Sequence, residues 1–190
     1  MIDKPRIEKA VRELLLAIGE DPEREGLKET PKRVAKMYAE VLEGVQYTND
    51  EIAQMFDKCF LETEASNNIV VVKDIDCFSF CEHHLALMYD MRICVGYLPT
   101  GRVLGLSKVA RIADMVCKRL QLQERIGADI AEIISKVTGT QNVIVYIEAH
   151  HSCMTMRGIK KAGSGTVTLT KRGAFNDDSL KTEFLHLIQK

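Results

Sequence analysis

The chain has 190 residues, 26 lysines and arginines against 27 aspartates and glutamates, and a formal net charge of -1. That length suits one domain or two small ones with an ample core, and 46% hydrophobic with 28% charged residues excludes an intrinsically disordered chain. The balanced charge lacks the basic excess of a general nucleic-acid binder, and no apolar run approaches the ~20 residues that cross a bilayer. Nothing after Met1-Ile2-Asp3-Lys4-Pro5-Arg6 reads as an export signal. The six cysteines (Cys59, Cys77, Cys81, Cys94, Cys117 and Cys153) are too sparse for a disulfide scaffold. They are expected reduced in the cytoplasm, as small buried hydrophobes or as metal ligands.

In chain order, Ile7, Ala10, Val11, Leu14, Leu15 and Ile18 recur at helical steps, and Gly19 supplies a stop. After Pro22 and Gly26, Thr30-Pro31 opens a second helix, with Thr30 expected as N-cap and Pro31 at the first helical position. Its stripe is Val34, Met37, Tyr38, Val41, Leu42 and Val45, so the two helices predict an antiparallel hairpin. A short third helix is expected near 50–56. From Asn68 the period changes: 69–75 and 86–97 read as strands, the second ending at Pro99-Thr100-Gly101-Arg102. Ser107 is expected to cap a helix running to about 120. Leu122, Ile126, Ile130, Ile133 and Val137 predict another, ending near Gly139. Strands at 142–149 and 166–170 and a last helix at 179–189 complete the reading. Strands and helices are grouped rather than strictly alternating, which predicts an α+β fold, with an N-terminal helical region at 1–60 and a larger domain at 61–190.

The densest chemistry is Cys81-Glu82-His83-His84. A cysteine and a histidine three positions apart can close on one metal ion, and zinc accepts both donors. The competing reading has Cys81 packed and the histidines exposed. A second cluster, His150-His151-Ser152-Cys153-Met154, follows an apolar strand, so Cys153 can supply a third ligand to an ion held by Cys81 and His84. Three protein ligands leave a coordination position open, and bound zinc lowers the pKa of a water there towards ~7. His83 and His151 stand beside the ligands as proton carriers. His150 reads as a surface residue on the opposite side of its strand.

Gly105-Leu106-Ser107-Lys108-Val109-Ala110-Arg111 places Ser107 at a helix start, where free N–H groups can seat phosphate, with Lys108 and Arg111 on one face. A solvated charged face is the alternative. Arg157 adds a cation soon after Cys153. In Arg119-Leu120-Gln121-Leu122-Gln123-Glu124-Arg125, amide and carboxylate groups can read a base edge: a carboxylate accepts from both the N1–H and the 2-amino group of guanine. The alternative for Glu124 is an exposed helix-terminal charge.

Together these segments resemble the GTP cyclohydrolase I family. Glu25-Gly26-Leu27, Thr30-Pro31-Lys32-Arg33-Val34, Arg157-Gly158 and the stretch from Gly163-Ser164 through Gly173 fit as well, and the likeness runs from about residue 7 to the end. The resemblance implies hydrolysis of GTP to 7,8-dihydroneopterin triphosphate and formate. It also implies the tunnelling fold, an antiparallel sheet packed with two helices, in a toroidal homodecamer with active sites between subunits. By position it implies Cys81, His84 and Cys153 as ligands of Zn2+, and His83 and His151 as catalytic histidines. Glu124 matches the guanine anchor, supported by Gln123. Ser107, Lys108, Arg111 and Arg157 match positions around the triphosphate, and Arg33 a further phosphate contact across an interface.

One stretch departs: where many members continue with Pro-Phe and a Gly-Lys pair, this chain reads Ala86-Leu87-Met88-Tyr89-Asp90-Met91-Arg92. Two other readings are weighed against the resemblance. A related enzyme reducing a nitrile on a deazaguanine base needs a cysteine nucleophile and a nicotinamide site, and the chain has no glycine-rich dinucleotide motif. A non-catalytic zinc or nucleotide-binding module predicts a closed four-ligand site.

Overall fold

The computed structural model describes residues 1–61 and 68–189. The chain forms two compact units, Met1–Gln46 and Tyr47–Lys190. The first holds α1 (Lys4–Ala17), α2 (Thr30–Val41) and a 3-10 turn at Glu43–Gln46. Asp3 caps α1 by accepting from the Arg6 N–H at 3.0 Å. Gly19 follows α1 with φ of +87°, the left-handed stop expected of it. Thr30 sits one position further in than expected: Glu29 occupies the N-cap of α2 and makes no side-chain capping bond.

The second unit begins with α3 (Asn49–Met55), which carries a reciprocal Thr48–Glu51 capping box. Its Asn49 amide donates to Asp129 and Glu132, so this helix packs with the larger unit. Strands β1 (Cys59–Leu61) and β4 (Arg102–Leu104) form a two-stranded antiparallel ribbon. The main sheet contains β2 (Val70–Cys81), β3 (Ala86–Tyr97), β5 (Leu120–Gln121), β6 (Val143–His151) and β7 (Thr166–Lys171), in the order β5-β2-β3-β6-β7. All neighbours are antiparallel except the β2–β5 pair. β2 runs six residues past the expected Ile75 because it continues through two register shifts, at Val72/Ile75 and Cys77/Ser79.

Two helices cover one face: α4 (Leu106–Cys117) and α5 (Gln123–Thr138), which ends at Gly139 with φ of +78°. Val143, Val145, Ile147 and Ala149 of β6 pack with Ile126, Ile130, Ile133 and Ile134 of α5 and with Val109, Ile112 and Val116 of α4. The alternate residues Ile144 and Tyr146 face the other side, under Phe175 and under Phe184 and Ile188 of α7 (Asp178–Ile188). This period-two division explains why β6 is apolar almost throughout: both its faces are covered. The result is the α+β fold expected, and among the described residues no helix is long and apolar enough to cross a membrane.

Candidate active site

Strand direction gathers the candidate residues at one end of the sheet. β2 and β5 are parallel and end together, with Cys81 beside Gln121. β6 is antiparallel to β3, and Met88 near the start of β3 faces His151 at the end of β6. The last residues of β2 and β6 and the first residues of α5 therefore converge. Between Cys81 and its partner Ala86 the chain makes a tight turn, in which the Leu85 N–H donates to the Cys81 carbonyl at 2.9 Å. Leu85 takes a φ of +52°, uncommon for a leucine, which marks how sharply this turn is closed.

That turn presents His84 towards the short helix α6 (Ser152–Thr155), which carries Cys153. Ligand atoms of Cys81, His84 and Cys153 all lie within 4.8 Å of one another. Cys81 is buried, Cys153 half-buried and His84 exposed, so the cluster opens outward on the histidine side. Burial pushes the Cys153 thiol above its ordinary value, and the neighbouring Cys81 adds to that effect. Two soft sulfurs and one imidazole at this separation are a donor set that zinc accepts, with three ligands rather than four. Arg157 reaches the same place, its guanidinium donating to His84 Nε2 at 3.0 Å.

The neighbouring groups are held firmly. His151, the last residue of β6, is bonded through Nε2 to Gln123 Oε1 at 2.8 Å. Burial lowers the pKa of His151; Glu124 opposes this and His150 reinforces it. His83 is exposed, its ring edge-on to His84 with centroids 6.2 Å apart. Glu124, at the second position of α5, is exposed as well. Next to it Arg125 forms a two-pronged pair with Glu82, at 2.6 and 3.2 Å, tying the histidine turn to the start of α5. Nothing in the sequence singled out this pair, because its partners are adjacent only once β2 and β5 lie side by side.

Two residues sit differently from expectation. Gln123 is 1% exposed and its amide is spent on protein groups, so its side chain does not offer itself to a base edge. His150 is not a free surface residue: its ring stacks on Tyr89 (5.6 Å, 27°) and Nδ1 meets the Ser164 carbonyl at 3.1 Å. Tyr89 belongs to the divergent stretch 86–92, and its hydroxyl donates to Thr155 Oγ1 at 3.4 Å.

The cationic segment lies elsewhere. Gly105, not Ser107, is the N-cap of α4, without a side-chain capping bond, and Ser107 is the second helical residue. Ser79, two residues before Cys81, donates to the Cys117 carbonyl at 2.7 Å, so it is the C-terminal end of α4 that adjoins the cluster. At 1.5 Å per residue, Ser107 and Lys108 stand about 15 Å back along the helix. Lys108 Nζ lies over the Phe56 ring, 5.8 Å from its centroid. Ser107 and Arg111 are exposed, and Arg33 is an exposed residue of α2 in the first unit.

The chain is similar to known proteins along nearly its whole length. A profile of the GTP cyclohydrolase I family matches residues 7–189. A GTP cyclohydrolase 1 of Clostridium acetobutylicum is 60% identical over 190 residues, covering 98% of this chain and 97% of that protein. One from Ruminiclostridium cellulolyticum is 59% identical over 193 residues, covering 100% and 99%. One from Clostridium botulinum strain Loch Maree is 56% identical over 193 residues, covering 98% and 97%. Matching over nearly its whole length at this identity, the chain belongs to the GTP cyclohydrolase I family.

Proposed function

We propose that this enzyme hydrolyses GTP to formate and 7,8-dihydroneopterin triphosphate, the entry to pterin and folate synthesis, with Zn2+ at Cys81, His84 and Cys153. The observation that carries the reading is the convergence of these three donors, from segments far apart in sequence, within 4.8 Å. When bound there, zinc supplies Lewis acidity and an activated water beside the substrate.

The chain's own residues do the rest. Glu124, exposed at the start of α5, accepts from the N1–H and 2-amino group of guanine and so presents C8 to the cluster, a gain by orientation. His151 delivers a proton to N7, making the imidazole ring easier to open, and His83 takes the proton released by the attacking water. The first hydrolysis breaks the bond at C8, the second releases C8 as formate, and the rearranged ribose closes onto the freed amine with loss of water. ATP lacks both of guanine's donors and would leave the carboxylate unpaired.

Arg157 serves the triphosphate from the cluster's own chain. Ser107, Lys108 and Arg111 stand on a helix whose other end adjoins that cluster. We assign them, together with Arg33, to sites completed by neighbouring subunits in a toroidal homodecamer, as the family likeness implies. The six free cysteines suit a reducing cytoplasm. The deciding experiment is metal analysis paired with a formate and fluorescent-pterin assay on one purified sample. The expected result is about one zinc per chain and equal amounts of formate and pterin. A zinc-loaded sample that releases no formate from GTP would overturn the proposal.

A further inference from the structure

Gln123 opens α5 and is fully buried. Its amide nitrogen donates to the backbone oxygens of Ile147 at 3.1 Å and Thr166 at 3.0 Å, with Thr168 Oγ1 at 3.4 Å. A carboxamide has donors only on nitrogen and acceptors only on oxygen. Backbone carbonyls only accept, so turning this amide over would set its oxygen against two others. The observed orientation is thus fixed by the strands, and it aims Oε1 at His151 Nε2, 2.8 Å away. An oxygen that can only accept requires a hydrogen on Nε2. The tautomer of His151 follows from the network around it.

A close helix–strand approach makes this reach possible. Gly127 lies one turn beyond Gln123 on the same face of α5. A Cβ there would stand 2.4 Å from Thr170 Oγ1. With no side chain at 127, α5 settles against β7, and a glutamine at its first residue spans to the carbonyls of both β6 and β7.

We infer that Gln123 is a positioning residue for His151 rather than a contact to the guanine: its Oε1 holds the ring through Nε2, so that the opposite nitrogen, Nδ1, is the one presented to a ligand. Among the described residues Nδ1 has no hydrogen-bond partner, which leaves it open to a ligand. This inference rests on the role given to His151 above.

The test uses the zinc-loaded enzyme. Gln123→Met keeps the length of the side chain and removes the amide. Its kcat with GTP is expected to fall roughly 10²-fold, the lower end of what a positioned acid or base contributes. KM should stay within about threefold, because the base is not bound by this group, with zinc per chain and oligomer mass unchanged. A raised KM with unchanged kcat would make Gln123 a substrate contact and overturn the inference. A second measurement needs no folded Gln123 variant. In wild-type enzyme labelled with 15N-histidine, the His151 signals, identified by their loss in His151→Gln, should report a hydrogen on Nε2 and none on neutral Nδ1. The opposite tautomer would overturn the inference. A fully active His151→Ala enzyme would overturn both this inference and the reading beneath it. An inactive one beside a fully active Gln123→Met enzyme would overturn this inference alone.

Discussion

Cys153 shows how a single residue binds chemistry to fold. Its thiol is half-buried beside Cys81, and both the burial and that neighbour disfavour the thiolate in the absence of a cation. A divalent ion reverses the balance, because the coordinating sulfur must lose its proton. Cys153→Ala is expected to lose zinc and turnover together, read by metal analysis and formate release. His151→Ala should keep its zinc and lose at least about 10²-fold in kcat, since His151 is bonded to Gln123 and supplies no donor to the cluster. Glu124→Ala should raise KM for GTP and narrow the preference for GTP over ATP by about tenfold or more, as two hydrogen bonds to a charged acceptor disappear. Competition assays with the two nucleotides check it. The proposed ligands Cys81, His84 and Cys153 could be picked out in the sequence because metal ligands are drawn from few residue types. The duty of Gln123 was not, because an amide looks the same in a sequence whether it faces a base or a strand carbonyl.

At the scale of the element, α5 decides the most. Its first residues present Gln123 and Glu124, its middle packs on β6, and Gly127 sets its distance from β7. Gly127→Ala forces a methyl into Thr170 and should destabilise the protein by about 1–3 kcal/mol, measured by urea unfolding, with a matching loss of kcat as Gln123 is drawn away. α5 is also clamped to α3: Arg119 bonds Asp129 at 3.1 Å, Asn49 at 2.8 Å and the Tyr47 carbonyl at 2.9 Å, mostly shielded from solvent. Asp129→Ala removes a carboxylate bonded by Arg119, Asn49 and Gln121 and should cost about 1–3 kcal/mol. Nearby, Lys136 first and Asn49 second hold Glu132 below its ordinary value of 4.5. A carboxylate depressed in the folded state stabilises above its unfolded pKa and loses that contribution as pH falls through the folded one. The clamp should therefore weaken only below about pH 4.5, and Glu132→Gln should flatten the acid limb of a melting-temperature profile.

On the scale of the whole molecule, one chain leaves obvious work for a neighbour. Among the described residues β7 has a partner on one side only, and the opposite edge of the sheet is a strand of two residues. In the first unit Leu14, Ile18, Met37 and Val45 are exposed. Unpaired strand edges and apolar residues at this density are what association covers. Light scattering is expected to give about ten times 21.4 kDa. A monomer that still turned over GTP at full rate would contradict the proposed sharing of Ser107, Lys108 and Arg33 between subunits.

By itself the sequence determined the helical hairpin, the bounds of β3, the stops at Gly19 and Gly139, and which clusters of cysteine and histidine were candidates for chemistry. These are local properties, set by periodicity, by the left-handed freedom of glycine and by the chemistry of donor atoms. Tertiary structure alone decided the rest. β2 extends to Cys81 through its register shifts, and α3 belongs with α5 rather than with the hairpin. Arg125 meets Glu82, His150 is held by Tyr89 and Ser164, and Gln123 is turned inward to His151. Each of these depends on which strands lie side by side and how closely a helix approaches them. Such distances arise between residues far apart in the chain, so no window of neighbouring residues contains them.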